Sequence, residues 1–341
     1  MKKLILKLLF GGLLLGLTVI ASSSFAGFTG AEKINFTDLA EGDDYYKEVR
    51  YLADLGIIQG YPDGSFRADE PVNRAEVLKI VFLALKPEYF DMSSGTPEEM
   101  AAGTAQVTLI SSGAATGNGV IDFPDVPKEE WFFAYVKQAR IDGMVVGCED
   151  GNYYPARTVN LAELLKIMFR NDNRNIETYV REGPYNDVPR RSWFTRYFVY
   201  AKFLGIIQAD IEGNVHPDRA ITRGEVARIV FNYMQEKLKV REGKISYYAD
   251  YFHGRNTASG EVFDMYAMTA AHRELPFNTY VKVWNEDTGK SVIVRVNDRG
   301  PFVQGVEFDL SMAAFESISP LGRGVMYVKW RIVTEREAME I

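Results

Sequence analysis

The sequence predicts a multidomain chain in which an all-α region of helix-loop-helix repeats precedes a small all-β barrel. Three observations support this fold class. The chain has 341 residues, which is more than one typical hydrophobic core supports. Residues 36–82, 123–169 and 185–231 align with one another without a gap, so they are copies of one unit. After Lys244 the apolar pattern changes from a helical to an alternating period.

The first helix of each repeat is predicted from two apolar positions one turn apart and from a glycine that ends it. The apolar positions are Val49, Val136 and Phe198, followed by Leu52, Ala139 and Ala201. The glycines are Gly56, Gly143 and Gly205. A helix commonly ends at a residue in the left-handed conformation, which glycine adopts without a steric penalty.

The second helix of each repeat is predicted to begin with a capping box, in which side chains at both ends of the first turn satisfy free amides. The pairs are Asn73 with Glu76, Asn160 with Glu163, and Thr222 with Glu225. The apolar stripe that follows consists of Val77, Ile80 and Val81, then Leu164, Ile167 and Met168, then Val226, Ile229 and Val230. Because two helices cannot bury such a stripe alone, we expect the repeats to pack as a three-unit bundle.

Two arginines occupy the first position of these second helices. Arg74 and Arg223 place a cation where the helix dipole disfavours one. Together with the free amides of that turn, such an arginine would bind a carboxylate or a phosphate. The alternative is a solvated arginine paired with a nearby acid.

The repeats resemble the S-layer homology (SLH) domain over residues 36 to about 234. The resemblance lies in F-x-D at the start of each unit, in the tryptophans that follow, in "GYPDGSF", and in "NRAE" and "TRGE". SLH domains typically occur in threes and bind acidic or pyruvylated cell-wall polysaccharide. The resemblance implies that the grooves between units are lined by Asp38, Asp125, Asp187, Trp131, Trp193, Arg74 and Arg223.

Two departures from the SLH pattern limit this expectation. The second unit has Leu161 where the arginine belongs, and the first has Asp44 and Tyr45 where the tryptophan belongs. We therefore expect at most two grooves to hold an anionic sugar well. The repeats are expected at residues 36–85, 122–172 and 184–236. Residues 86–121, rich in Gly, Ala, Ser and Thr, are expected to be a flexible linker with a short strand in "AQVTLI".

Residues 1–26 have a basic start, an apolar run and small residues before Ala26, a pattern typical of a secretion signal cut after that residue. An uncleaved membrane anchor is the alternative, and only then would the chain contact a membrane. Cys148 is the one cysteine, so stability is expected to come from packing rather than a disulfide. The formal charge of −7 argues against a nucleic-acid partner.

The C-terminal domain is expected at residues 244–333. "YVKVWN" (280–285) and "SVIVRVND" (291–298) are strand-like and are joined by the hairpin sequence "EDTGK". "VMYVKWRIV" (325–333) is another alternating run, and "SMAAFESI" (311–318) is helical. Short strands, turns and one helix predict a small β-barrel.

Five titratable side chains of this domain are candidates for acid–base chemistry. Glu261, Asp264 and His272 lie close together in "TASGEVFDMYAMTAAH", whereas Asp298 ends a strand and Asp309 lies in "EFDLS". Carboxylates that share a cleft separate one another's pKa values, so that one can donate a proton while another stays ionised. A histidine can hold or relay that proton. Acidic turn residues and a structural histidine are the alternative.

The motifs "HGRNTASGEVFD", "TAAHRELPF", "VNDRGPF" and "FDLS" resemble the rare lipoprotein A (RlpA-like) family over residues 245 to 333. The resemblance implies a six-stranded double-psi β-barrel and lytic transglycosylation of peptidoglycan glycan strands stripped of stem peptides. Glu261, Asp264 and His272 match positions associated with activity. Asp298 and Asp309 resemble two barrel aspartates that expansins and related endoglucanases share.

The implied reaction opens the bond between N-acetylmuramic acid and N-acetylglucosamine and leaves a 1,6-anhydro end, without a metal or cofactor. Glu261 or Asp309 is the expected proton carrier, with Asp264 and Asp298 in support and His272 as orienter. Members of that family are commonly lipoproteins with a cysteine after the signal, which this sequence lacks. The SLH units would then replace the lipid as the attachment to the wall.

The sequence therefore predicts a secreted, non-covalently wall-attached enzyme whose partners are peptidoglycan strands and a secondary cell-wall polysaccharide. A non-catalytic, expansin-like wall-binding protein is the main alternative. A purely architectural surface protein is a third, which the presence of all five titratable groups disfavours.

Overall fold

The computed structural model describes residues 35–91, 108–109, 122–171, 182–333 and 337–338; the expected signal, residues 1–26, lies outside them. The α-helices within these ranges are α1 (Tyr46–Asp54), α2 (Arg74–Leu85), α3 (Phe133–Ile141), α4 (Leu161–Asn171), α5 (Thr195–Leu204), α6 (Arg223–Leu238) and α7 (Met312–Ile318). The strands are β1 (Phe90–Asp91), β2 (Thr108–Leu109), β3 (Arg241–Tyr247), β4 (Thr269–His272), β5 (Tyr280–Asn285), β6 (Lys290–Asp298), β7 (Val306–Leu310) and β8 (Met326–Val333).

The helical pattern expected from the sequence is confirmed in the N-terminal region. All the apolar positions named for the first and second helices are buried. Gly56, Gly143 and Gly205 have φ angles of 70°, 67° and 65°, the left-handed conformation expected of a C-terminal glycine. Both hydrogen bonds of each capping box are formed, so the glutamates of the boxes are structural.

Three backbone hydrogen bonds join the starts of the second helices in a closed ring. The amide of Val72 donates to Ile221 O at 3.0 Å, that of Ile221 to Val159 O at 2.9 Å, and that of Val159 to Val72 O at 3.1 Å. Around this ring α2 packs on α3, α4 and α6, while α1 packs on α6 and α4 packs on α5. The second helices thus meet at one end, and their apolar stripes share one core.

Most of the expected linker, residues 86–121, lies outside the described residues, but its beginning is packed. A 3-10 helix at Pro87–Tyr89 leads into β1, which pairs antiparallel with β2 inside "AQVTLI". Phe90 is buried, and its ring centroid lies 4.6 Å from that of Tyr135 and 5.2 Å from that of Phe82. The beginning of this segment is therefore part of the helical core rather than a free linker.

The C-terminal strands form a closed six-stranded barrel in the order β3-β7-β4-β6-β5-β8. The pairs β3–β7 and β4–β6 are parallel and the others antiparallel, an order consistent with a double-psi barrel. The predicted strands at β5, β6 and β8 and the helix α7 are confirmed. β3 begins at Arg241, three residues before the expected domain boundary.

The barrel docks on the last two helices of the N-terminal region. α6 contacts β8, and the guanidinium of Arg241 on β3 pairs with Glu236 of α6. The ring of Phe203 on α5 lies 6.2 Å from the ring of His272, the last residue of β4. Within the described part of the chain, no helix combines the length and apolarity needed to cross a membrane.

Candidate functional site

The pairing of four neighbouring strands places one aspartate on each side of an alanine. Asp309 of β7 is the partner of Ser246 on β3 and of Ala271 on β4, and Ala271 is in turn the partner of Asp298 on β6. With strands about 4.8 Å apart, the two aspartate Cα atoms are about 10 Å apart. Ala271 is fully buried and small, so within the strands only its methyl group lies between the two aspartates. We call Ser246, Asp309, Ala271 and Asp298 the aspartate row.

The two carboxyl groups of the row have different surroundings. Asp309 is half-buried and accepts one hydrogen bond from the hydroxyl of Ser246. Burial raises the pKa of Asp309, and the neighbouring charge of Asp298 raises this pKa further. A raised pKa favours the protonated form of a carboxyl group, which is the form that can donate a proton.

Asp298 is held by three donors. Its Oδ2 accepts from the Tyr248 hydroxyl at 2.7 Å, and its Oδ1 accepts from the amides of Ala258 at 2.7 Å and Arg299 at 2.8 Å. Burial raises the pKa of Tyr248, and the hydrogen bond to Asp298 raises it further, so the phenol stays protonated and continues to donate. These donors fix the Asp298 carboxylate beside Asp309.

Glu261 forms a clamp with another strand residue. Its two carboxylate oxygens accept from Arg295 on β6 at 2.7 and 2.8 Å, and Asn297 donates to one of them at 3.0 Å. The hydrogen bonds from Arg295 hold the pKa of Glu261 below its usual range. Glu261 is thus an ionised group that ties its loop, residues 255–263, to β6.

Asp264 lies on an exposed turn. Its Oδ1 accepts from the amide of Tyr266 at 2.9 Å, and 53% of its side chain is exposed. The nearest imidazole in the described structure is that of His253, whose Nδ1 lies 3.7 Å from Asp264 Oδ1. His253 Nδ1 also accepts from the amide of Met265. Within the described residues, the structure gives no contact between Asp264 and His272, although the two are close in sequence.

His272 points to the opposite face of β4 from the aspartate row. It pairs with Phe308 whereas Ala271 pairs with Asp309, and neighbouring residues of a strand face opposite ways. Its ring lies 4.7 Å from that of Phe308 and 6.3 Å from that of Trp330 in the barrel core. Its Nδ1 accepts from the amides of Glu274 at 3.0 Å and Leu275 at 2.9 Å.

Burial lowers the pKa of His272 to about 3, and the nearby Arg273 lowers it as well. The imidazole is therefore neutral at neutral pH, with its proton on Nε2, because Nδ1 is an acceptor. The five candidate groups do not share one side of the sheet. The structure brings Asp298 and Asp309 together, anchors Glu261 to the adjoining loop, and places Asp264 and His272 elsewhere.

In the helical region, the three F-x-D aspartates bind the backbone of a loop in their own unit. The carboxylate of Asp38 accepts from the amides of Phe66 and Arg67, both at 2.7 Å. Asp125 and Asp187 accept in the same way from Tyr153 and Tyr154, and from Val215 and His216. The second residue of each amide pair has a positive φ, between 50° and 60°. The aspartates thus stabilise a strained loop conformation.

The two arginines at the helix starts differ in their contacts. Arg223 is buried, and its guanidinium donates to Phe66 O at 2.9 Å, Glu76 Oε1 at 2.8 Å and Gln59 O at 3.0 Å. An anion would have to displace these contacts. The guanidinium of Arg74 instead stands 4.4 Å over the ring of Tyr153 and is hydrogen-bonded to the side chain of that tyrosine.

The helix amides expected to help bind an anion are already occupied. The amides of Arg74 and Ala75 donate to the carbonyls of Arg157 and Pro155 of the next unit. The amides of Arg223 and Gly224 donate likewise to Glu70 and Ala68. The loops of neighbouring units therefore cap these helices, and an anion in the groove would depend on side chains.

Each groove also contains a cation standing over an aromatic ring of the following unit. Lys79 Nζ lies 5.4 Å from the Trp131 ring, and Lys166 Nζ lies 5.3 Å from the Trp193 ring. Trp193 is 49% exposed. Burial lowers the pKa of Lys166, as do the nearby charges of Arg170, Arg74 and Arg196. The groove that contains Arg74 is therefore strongly basic.

Three groups near these sites, Lys166, Ser246 and Tyr248, were not predicted from the sequence. Lys166 lies five residues after Leu161, at the repeat position that Lys79 and Arg228 occupy, so the alignment of the units contained the signal. Ser246 lies on β3 and Tyr248 directly follows it, and the apolar pattern of the sequence did not predict this strand. Their link to the aspartates depends on pairing between distant strands.

The comparisons with known proteins agree with this division of the chain. Residues 240–330 match the lytic transglycolase family. Residues 35–78 and 184–227 match the S-layer homology domain. Endolytic peptidoglycan transglycosylase RlpA of Vibrio cholerae is 48% identical over 112 residues, which are 33% of this chain and 41% of the relative.

Two further relatives match a similar length of chain. Probable endolytic peptidoglycan transglycosylase RlpA of Treponema pallidum is 50% identical over 107 residues, 30% of this chain and 34% of the relative. Endolytic peptidoglycan transglycosylase RlpA of Pseudomonas aeruginosa is 53% identical over 87 residues, 26% of each chain. This chain thus spans less than half the length of these relatives.

Proposed function

We propose that the barrel is a peptidoglycan lytic transglycosylase and that the aspartate row is its active site. The observation that carries this proposal is the registration of Asp309 and Asp298 on either side of Ala271, one half-buried with a raised pKa and the other held by three donors. The names of the relatives that match the barrel give the same reaction class. The substrate is the glycan strand of peptidoglycan, preferentially without stem peptides.

In this proposal Asp309 is the general acid. It donates its proton to the glycosidic oxygen as the bond between N-acetylmuramic acid and N-acetylglucosamine breaks. The ionised Asp298 stabilises the positive charge that develops at C1. The Asp309 carboxylate then accepts the proton of the muramic acid 6-hydroxyl, whose oxygen attacks C1 and forms the 1,6-anhydro ring. Water and cofactors take no part in these steps.

Glu261 is assigned to positioning because Arg295 holds it in the ionised form, which cannot donate a proton. His272 is assigned to packing between the barrel and α5. Both assignments modify the roles that the sequence suggested for these residues.

The test is incubation of the full chain with denuded glycan strands, followed by mass spectrometry of the products. Asp309→Asn is expected to lower the rate of anhydro-end formation at least 100-fold, since a general acid contributes about 10²- to 10⁴-fold. Glu307→Gln is the matched control. Glu307 lies two residues away on the same strand, its substitution removes the same charge, and its carboxylate accepts a hydrogen bond from the Trp330 indole.

The pH dependence provides a second readout. Activity is expected to fall as pH rises through the raised pKa of Asp309, because the acid form is then lost. Binding of strands without new anhydro ends would contradict the proposal and favour the wall-binding alternative. An Asp309→Asn variant as active as the wild type would refute the role of Asp309.

We also propose that residues 36–85, 122–172 and 184–236 are three SLH units that attach the exported enzyme to a wall polysaccharide. The second unit is included because Asp125 and the Asn160–Glu163 capping box repeat the contacts of the other two. The groove with Arg74, Lys166 and Trp193 is the main anion site, since Arg223 is occupied by protein groups. Attachment would be non-covalent and at the cell surface.

Arg74→Ala is expected to weaken the affinity of the protein for cell walls about tenfold, because one charge-assisted contact is lost. The affinity is measured from the fraction of the protein that sediments with cell walls. Arg67→Ala is the control, because Arg67 is an exposed arginine of the same unit whose partner is Asp63. Equal sedimentation of all three proteins would place the attachment site elsewhere.

A further inference from the structure

Within residues 241–333, one arginine near the aspartate row has a guanidinium without a polar partner. The side chains of the other barrel arginines are engaged with protein groups: Arg241 with Glu236, Arg273 with Pro301, Arg295 with Glu261, Arg299 with His272 and Leu275, Arg323 with Asp287, and Arg331 with Glu337. Arg255 is exposed, and no hydrogen bond or ion pair of its side chain is formed within the barrel, residues 241–333.

The loop that carries Arg255 is closed by backbone hydrogen bonds and is bonded directly to the site. The amide of Gly254 donates to Phe263 O at 2.9 Å and that of Phe263 to Arg255 O at 2.8 Å. Three residues further on, the amide of Ala258 donates to Asp298. Because three residues span at most about 11 Å, the Arg255 backbone lies within about one disaccharide of the carboxylate pair.

Aromatic rings connect Arg255 to the same site. Its guanidinium carbon lies 5.4 Å from the ring of Tyr251, which is 61% exposed, and 5.8 Å from that of Phe252. The Phe252 ring lies 5.5 Å from Tyr248, whose hydroxyl binds Asp298. A guanidinium beside aromatic side chains can bind a carboxylate while the sugar ring packs on an exposed aromatic face.

We propose that Arg255 binds the free lactyl carboxylate of an N-acetylmuramic acid residue next to the cleaved bond, and so selects strands without stem peptides. This inference rests on the proposed function. In a denuded strand the lactyl group ends in a carboxylate, which pairs with a planar guanidinium. Where a stem peptide is attached, the same carbonyl is a neutral amide and the pairing is lost.

The experiment uses the full chain with two soluble substrates: denuded strands and the same strands with their lactyl carboxyl groups converted to methylamides. For the wild type, kcat/KM for anhydro-end formation is expected to fall about tenfold on amidation, the effect of one exposed charge-assisted contact. In Arg255→Ala, kcat/KM on denuded strands is expected to be about tenfold below the wild-type value. On amidated strands it is expected to equal the wild-type value. Arg255→Lys should retain part of the preference.

Arg323→Ala is the matched control, because it removes a barrel arginine paired with Asp287 and should keep the wild-type preference. The affinities for the denuded and the amidated glycan strands are measured in parallel, with Asp309→Asn present in every protein compared. The wild-type preference should also shrink with rising salt. If Arg255→Ala still prefers denuded strands as the wild type does, in rate and in affinity, the inference is refuted.

The two readouts separate this inference from the proposed function. If neither strand yields anhydro ends but affinity for denuded strands alone falls in Arg255→Ala, the proposed reaction fails and the carboxylate contact stands. If anhydro ends form and the preference is unchanged in Arg255→Ala, the reaction stands and the contact fails.

Discussion

Acidification is expected to destabilise the docked barrel through His272. The pKa of this imidazole is about 3 in the folded chain, against an ordinary value near 6.5, so the unfolded chain binds the proton first. The contribution of His272 to stability is complete above pH 6.5 and is lost as pH falls from 6.5 towards 3. Between pH 7 and pH 5 this group alone should lower the free energy of unfolding by about 2 kcal/mol.

The measurement compares the wild type with His272→Phe, which keeps an aromatic ring but does not titrate. The variant is expected to be about 2 kcal/mol less stable at pH 7, because the amides of Glu274 and Leu275 lose their acceptor. Its stability should then change less than that of the wild type between pH 7 and pH 5. Urea unfolding followed by tryptophan fluorescence gives both values.

Other titrating groups are common to the two proteins, so they cancel in the difference between the two pH profiles. Parallel profiles for the wild type and His272→Phe would refute the argument. An NMR titration of the His272 ring with a midpoint near 6.5 would refute it as well.

Two stability predictions concern the helical region. Arg223→Ala should lower the free energy of unfolding by about 3 to 5 kcal/mol, because it leaves the partly buried Glu76 without its arginine partner. Arg67→Ala should lower it by less than about 1 kcal/mol. Equal urea midpoints for the two variants would contradict this. Asp125→Ala should cost about 2 kcal/mol or more, since the amides of Tyr153 and Tyr154 lose their acceptor, and hydrogen exchange of those amides should rise.

The helical region was readily predicted because its signals are local. The apolar period, the capping boxes and the glycines at helix ends each depend on residues within one or two turns. The partners of Arg223 could not be predicted in this way, because they lie about 150 residues away in the first unit. An arginine at a helix start looks the same in sequence whether it faces solvent, like a ligand-binding residue, or a neighbouring unit.

The sequence identified candidate titratable residues of the barrel but could not predict how they are arranged. The alternating period identified β5, β6 and β8, whereas β4 has four residues, all buried, and no alternation to detect. The aspartate row depends on two parallel pairings that a period cannot reveal. Glu261, Asp264 and His272 lie within 12 residues of sequence, yet a turn and a strand direct them to three different environments.

Two neighbouring residues of β4 point their side chains in opposite directions, one towards the aspartate row and one towards the barrel core. His272 directs its ring into the barrel core and against Phe203 of α5, while Ala271, one residue earlier, lies between the two aspartates on the other face. The contacts of α6 go to β8 and to Arg241 of β3. The ring contact from β4 to α5 is therefore made by a residue whose side chain points away from the aspartate row. In the proposed function, a barrel attached through the helices keeps the aspartate row accessible to a glycan chain, because the row and the ring of His272 lie on opposite faces of β4.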